Sequence, residues 1–398
     1  MPIDERRAAD AIVAILAELI AIPSPYPPGE SSAICGWTAQ RLRRAGYAVD
    51  VIARRHGVDN VVAKIGSVPV TVGDPHVGDP HVVFNAHVDT VGMGERSSWL
   101  TDPFKAVVKD GQVFGLGAGN CKGSMAVQIW LAEEIARRGG PDQGEIAFTF
   151  VADEENLGPD GMAFLREAGH VKPDILILGA QTENQLIVSE RGVFWARVTT
   201  KGKAAHAGNP AAGDNAILRM LRLLASVEKN LTAKLAKRVD GAMRSTINVG
   251  ILRGGHNTNV VPAACVAEID RRLLPAEKVR PAFAELKAAL AKAREKPGSW
   301  QVEFLTGTNG FKGSAEGPGI AALAAAIKAR TRRKAKFLNA TGVSDGRYFA
   351  DDGIEIVNFG PGSGAKGHAA NESVPIDQLV DAAAIQLDAV ERLTGLRR

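Results

Sequence analysis

Cysteine is scarce in this chain: three residues, Cys35, Cys121 and Cys265, among 398. They are widely spaced and odd in number, which excludes a disulfide framework and a CxxC metal pair and makes a reducing, cytoplasmic compartment the expectation. Long hydrophobic runs are missing too. No uninterrupted apolar stretch approaches membrane-spanning length. The N-terminal segment MPIDERRAADAIVAILAELIAIPSP carries Asp4, Glu5 and Glu18, which break the pattern of a signal peptide. It reads instead as an amphipathic helix stopped at Pro23, and no membrane partner is expected. Strong charge of one sign is also absent. The net charge is +4 and no basic run is interleaved with aromatics, so no nucleic-acid partner is expected. The densest basic cluster, ARTRRKAK (329–336), ends an Ala-rich helical stretch, where Lys and Arg favour the last turn. What is present is an ordinary globular composition, 45% apolar and 23% charged. The length fits two domains, or one domain with a large insertion.

After the first helix, IPSPYPPGESS (22–32) forms a Pro-rich turn into a second helix near 33–46, and DNVVAKI (59–65) reads as a strand. The tandem VGDPHVGDPH (72–81) holds two histidines and two aspartates, but its Asp-Pro and Gly-Asp pairs read as a surface hairpin loop. Four apolar runs then behave alike: 81–89, 145–155, 174–181 and 354–362 each look like a buried strand that empties into polar or glycine-rich residues. A helical pattern at 123–138 lies between two of them. Alternating strands and helices predict an α/β fold with a mostly parallel sheet and helices on both faces. Ligands collect at the carboxyl ends of such strands, where His87, Asp89, Glu154, Glu155, Ala180 and His368 all fall. The middle of the chain differs. Segments 191–202 and 245–252 alternate with period two, 265–273 and 300–306 add strands, and 213–229 and 277–295 are helical. This predicts an inserted α+β sandwich at 192–306, within a domain made of 1–191 and 307–398.

His87 and Asp89 lie on the same side of a pleated strand end, the geometry of a metal-ligating imidazole with a carboxylate behind it. Taken alone, such a histidine is more often a hydrogen-bonded core residue. The Glu154-Glu155 pair is stronger evidence. Adjacent carboxylates at a buried strand end repel unless a cation or proton separates their roles, and one ligand plus one general base is an economical division. A solvated acidic turn is the plainer alternative.

These features occur in a longer series: IPSP (22–25), HVDTVG (87–92), G-x-G-x-x-N-x-KG (115–123), DEEN (153–156), ERG (190–192) and KGKAAHAGNPAAGDNAI (201–217). The series continues through GGHNTNVVP (254–262), DRRLLP (270–275), TGVSDGRYF (341–349) and GPG followed by GHAANE (360–372). In this order the motifs resemble those of the M20 metallopeptidases and amidohydrolases over nearly the whole length. The family includes succinyl-diaminopimelate desuccinylase, acetylornithine deacetylase, aminoacylase and glutamate carboxypeptidase. The resemblance implies two metals, usually zinc, at the strand ends. His87 and the residue at 180 would hold the first, Glu155 and His368 the second, and position 120 would bridge them. Glu154 would be the general base and Asp89 would orient His87. His206, often acting across a dimer interface, would stabilise the oxyanion, and Asn259 and Arg347 would bind substrate, Arg347 as a bidentate carboxylate clamp. A homodimer is expected on the same ground.

The chain departs from that pattern twice: the bridging Asp is Asn120 and the acidic ligand is Ala180. Two divalent cations about 3.5–4 Å apart repel by on the order of 20 kcal/mol even at an effective dielectric near 20. A bridging carboxylate offsets part of that repulsion, and an amide brings no charge. One divalent metal per site (Zn, Mn or Co) is therefore the expectation, held by Glu155 and His368 with Asn120 or His87 assisting. Replacement of the lost ligands by Gln181, Glu183 or Cys121 is a second possibility. The expected activity is hydrolysis of a C–N bond in a small carboxylate-bearing molecule. Alternatives are a hydrolytic deaminase of an aromatic or other non-peptide substrate, and a non-catalytic small-molecule-binding or interaction protein derived from such a hydrolase.

Overall fold

The computed structural model describes residues 3–67, 80–313, 315–340 and 342–397. The tandem repeat at 72–81 falls outside them except for Pro80 and His81. The chain divides into two compact units, the first built from Met1–Val188, Gly313–Leu338 and Ser344–Arg398, the second from Ser189–Lys312 and Asn339–Val343.

In chain order the main elements begin with α1 (Glu5–Ala21), α2 (Ser32–Arg44), β1 (Ala48–Ala53), β2 (Asp59–Ser67), β3 (His81–His87) and α3 (Lys122–Arg137). Next come β4 (Gly144–Val151), β5 (Ile175–Leu178), β6 (Leu186–Glu190), β7 (Gly192–Lys201), α4 (Ala216–Val227) and β8 (Thr246–Gly254). The last are β9 (Ala264–Leu273), α5 (Val279–Ala291), β10 (Trp300–Thr308), α6 (Pro318–Thr331), β11 (Glu355–Asn358) and α7 (Ile376–Thr394). Among the described residues, no helix is long and apolar enough to cross a membrane.

The sheet of the first unit runs β6-β11-β5-β3-β4-β2-β1. Its centre, β11-β5-β3-β4, is parallel, and β6, β2 and β1 join antiparallel. Every residue of β3 is buried, so both faces of the sheet are covered. Register sets Phe84 beside Phe148, and their rings stack 5.1 Å apart. Parallel pairing has a consequence for function: β3, β4, β5 and β11 all end on the same side, so the loops after them meet there.

In the second unit the four strands run β8-β9-β7-β10, all antiparallel. Residues of β7 and β9 alternate between buried and part-exposed, and the buried set forms one core with α4 and α5. Helix α4 starts at Ala216, later than the residue pattern implies, because the Asn215 side chain accepts the Leu218 N–H and caps it there. Strand β8 lies at the edge and is largely exposed, with Val249 and Leu252 turned to solvent.

Candidate metal centre and catalytic site

The site assembles at the common strand ends of the first unit. His87, the last residue of β3, is buried, and its Nδ1 lies 2.9 Å from the Asp89 main-chain oxygen. The Asp89 carboxylate stands farther from that ring nitrogen, at 3.5 Å, and accepts the Glu155 N–H at 3.0 Å. Asp89 was expected to orient His87 through its side chain. Both its main chain and its carboxylate face the ring, and the carboxylate also ties the end of β3 to the loop after β4. That loop delivers Glu154 and Glu155. Ligand atoms of His87, Glu154 and Glu155 all lie within 4.8 Å of one another. His368 joins them from the loop before α7, its Nε2 2.9 Å from Glu155 Oε1.

Asn120 occupies the middle of this group. Its Nδ2 donates to Glu155 Oε1 at 2.8 Å and lies 2.9 Å from His368 Nε2, while its Oδ1 lies 3.4 Å from His87 Nε2. The amide thus touches both imidazoles and one of the two glutamates. The glycines around it serve a defined purpose. A Cβ at Gly119 would strike the Gln181 side chain, and Gly117 has φ +78 and packs on Thr90 and Lys122.

The electrostatics separate the two glutamates. Burial pushes the Glu154 carboxyl up to about 7, against the opposing pull of His87 and Arg347. The His368 imidazole is raised chiefly by its hydrogen bond to Glu155, against the effect of burial. Arg347, expected to clamp a substrate carboxylate, is turned inward. Its side chain is only 1% exposed. The guanidinium lies 3.4 Å from Glu154 and 3.8 Å from Asp345, and donates to the Tyr348 hydroxyl at 2.9 Å. It lies beside Glu154.

Ala180 offers no side-chain donor. The buried Cys121 thiol, raised by burial, donates to the Gly179 carbonyl at 3.3 Å. Glu183 is exposed and stands outside the group of converging ligand atoms. Gln181 packs between Gly119 and Gly367, the residues just before Asn120 and His368. His206 and Asn259 belong to the second unit, where both are exposed. There His206 Nδ1 accepts the Gly208 N–H at 3.0 Å, and the Asn259 carbonyl accepts the Ala207 N–H at 3.0 Å.

Several site residues are not among the sequence candidates. Glu372 is buried and accepts the backbone N–H groups of Gly117, Gly119 and Asn120 at 2.9, 3.0 and 2.6 Å. It holds the loop that carries Asn120. Lys122, also buried, donates to the carbonyls of Leu19 and Ile22 at 2.9 and 2.8 Å and fastens the same loop to the end of α1. Asp345 accepts from Asn85 at 3.2 Å and flanks Arg347. The signals were the acid in GHAANE and the Asp-x-Arg of SDGRYF, charged residues set among small ones.

Imidazoles and carboxylates converging at the strand ends of a largely parallel sheet define a metal-dependent hydrolase of the α/β class; the donor set is one that divalent cations take. The chain belongs to peptidase family M20/M25/M40, whose model matches residues 83–392. It is 30% identical over 383 residues to a succinyl-diaminopimelate desuccinylase of Bordetella petrii, covering 94% of this chain and 95% of that one. Among solved structures, an M20 family metallo-carboxypeptidase from Sulfolobus solfataricus superposes with a TM-score of 0.80 at 16% identity, over 97% of this chain and 99% of the other. A dinuclear metal-binding M20 peptidase from Bacillus subtilis gives 0.71 at 13% identity, over 98% and 100%. At these identities the two structures share the fold alone.

Proposed function

We propose that this M20 hydrolase cleaves a C–N bond in a small carboxylate-bearing substrate with the help of one divalent cation. Glu155 and His368 would hold the cation, assisted by His87 or the Asn120 oxygen once its amide has turned. The observation that carries this reading is the place of Asn120. A neutral amide stands among His87, Glu155 and His368 and Ala180 donates nothing, which supports one cation over two. Bound there, Zn²⁺, Mn²⁺ or Co²⁺ supplies Lewis-acid polarisation and makes water a stronger acid.

The chain's own groups do the rest. Glu154 takes the proton of the attacking water, a task that its burial and raised pKa suit. It returns that proton to the departing nitrogen. Arg347, Asp345 and Tyr348 hold Glu154 in place from behind. His206 would stabilise the developing oxyanion and Asn259 would contact the substrate, both from the second unit. A homodimer accompanies this reading, supported by the exposed edge strand β8.

The test uses Glu154→Gln, an isosteric change that removes the base. Across a panel of N-acyl amino acids, kcat is expected to fall by at least about a hundredfold, with bound-metal content and melting temperature unchanged. Full turnover in that variant would end the general-base assignment. A purified protein that takes up no divalent metal would end the hydrolase reading as a whole.

A further inference from the structure

The basic run ARTRRKAK (329–336) outlasts the helix that it was expected to end. Helix α6 stops at Thr331, and its last turn holds only Lys328 and Arg330. Arg330 is satisfied by Glu5 and Asp381. Arg332, Arg333, Lys334 and Lys336 follow the helix, all exposed, and among the described residues none of them forms an ion pair. Like charges crowded in this way repel one another, and an anionic partner relieves that repulsion.

The run leads into a short strand, Phe337–Ala340, which among the described residues pairs with β6 alone. Its other edge is open. The Lys336 carbonyl accepts the Leu186 N–H of β6 at 3.1 Å. Main-chain groups alternate in direction along an extended chain, so the N–H and C=O of Phe337 point away from β6. The side chains beside that edge are apolar and open to solvent: Phe337 is 44% exposed and Leu338 39%. An uncovered strand edge of this kind is a template for pairing with another chain.

We infer that this edge docks an acidic polypeptide segment, which adds as an extended strand beside Phe337 and sets its carboxylates against Arg332, Arg333, Lys334 and Lys336. Main-chain hydrogen bonds supply the affinity, and the cations choose the partner. Lysines inside an edge strand block pairing. Here the cations precede the strand, whose own residues are Phe, Leu, Asn and Ala, so they turn away basic partners and leave the edge usable. Other anionic partners fit less well. Successive side chains of a strand point to opposite faces, so a membrane surface takes up Phe337 or Leu338 but not both. A nucleic acid has no extended backbone of alternating donors and acceptors to lay along the edge, and Phe337 alone is a poor platform for stacked bases.

Binding is measured on the whole chain by fluorescence anisotropy, with labelled, end-blocked peptides EVEVEVE, EVEPEVE and KVKVKVK. EVEVEVE is expected to bind at least about tenfold tighter than either of the others, because proline interrupts strand pairing and lysines are repelled. Lys334→Glu combined with Lys336→Glu is expected to weaken EVEVEVE by about tenfold or more. Phe337→Pro removes the outward N–H and spares the bond between Leu186 and Lys336, so it should erase the advantage of EVEVEVE over EVEPEVE. Phe337→Ala keeps that N–H and should keep the advantage, which separates the backbone contact from the loss of the ring. Equal binding of EVEPEVE or KVKVKVK, unchanged binding in the lysine double variant, or no binding of EVEVEVE overturns the inference. So does tighter binding to phosphatidylserine vesicles or to oligothymidylate than to EVEVEVE.

Discussion

Asn120 presents its two amide ends to different partners, Oδ1 toward His87 and Nδ2 toward Glu155 and His368. A carboxylate there would bring a second anionic oxygen in place of the N–H donors and would meet Glu155 with like charge unless a cation stood between them. Asn120→Asp is therefore expected to tighten binding of a single divalent cation by about tenfold or more, since each added anionic oxygen gains strength at low dielectric. Stoichiometry is expected to remain at one, because Ala180 still gives no ligand. Adding Ala180→Glu should raise it to two. Metal analysis of dialysed protein with calorimetry checks both statements, and two equivalents bound by the protein as it stands would contradict the one-cation reading. Residues 120 and 180 were legible in the sequence because the motifs around them are intact. The packing partners of Arg347 were not. A motif says which charged residues gather, and only the packed structure shows that Arg347 faces inward to Glu154.

The loop from Gly115 to Cys121 is the element on which the site depends, and its shape is imposed from outside. Glu372 gathers three of its N–H groups, Lys122 anchors its end, and Gln181 fills the space between Gly119 and Gly367. Gly119→Ala would drive a methyl into the Gln181 amide and is expected to cost about 1–3 kcal/mol, the usual penalty for overpacking. Because the obstacle is a side-chain end, the double variant with Gln181→Ala should recover most of that loss. Urea unfolding of the four proteins in the cycle reads the coupling, and additive losses would show that Gln181 is not the obstacle.

Lys122 adds a pH signature to the same loop. Burial drives its ammonium down to about 7, against the upward pull of Glu372. A neutral amine still has two N–H bonds for Leu19 and Ile22. Between that value and the ordinary lysine value of 10.5, the unfolded chain binds the proton more readily than the folded one. Stability from this group therefore rises with pH across the window and is flat below it, with a slope of up to about 1.4 kcal/mol per pH unit. Lys122→Met is expected to flatten that rise in melting temperature between neutral and alkaline pH. An unchanged slope would mean that Lys122 keeps its proton throughout.

At the scale of the whole molecule, the sheet of the second unit ends on β8 at one edge and on β10 at the other. β8 borders its sheet with unpaired backbone groups, and Val249 and Leu252, 41% and 50% exposed, lie on it. Open edges of this kind pair with another chain or are shielded. Sedimentation is expected to give a particle of about twice the chain mass of 42.0 kDa, the twofold pairing most common among soluble oligomers. Leu252→Asp, placed on that edge, should shift it toward the monomer. A monomer at all concentrations would remove the dimer from the reading, and with it the idea that His206 serves a neighbouring site.

Some of this was determined by the sequence alone. Runs such as HVVFNAHVD and EIAFTFVADEE are too apolar to be anything but buried strands, and alternation with helices makes a parallel sheet the economical way to bury them. Parallel strands share an end, so His87, Glu154 and Glu155 had to meet. The loss of charge at 120 and of a donor at 180 could likewise be read residue by residue. Only the tertiary structure decided which groups face one another at that end. Glu372 closing the glycine loop, Arg347 turned in beside Glu154 and Gln181 wedged between two glycines all depend on contacts between residues as much as 255 positions apart. Local pattern carries no record of those distances, because the energy that fixes them arises only when desolvated groups are brought together.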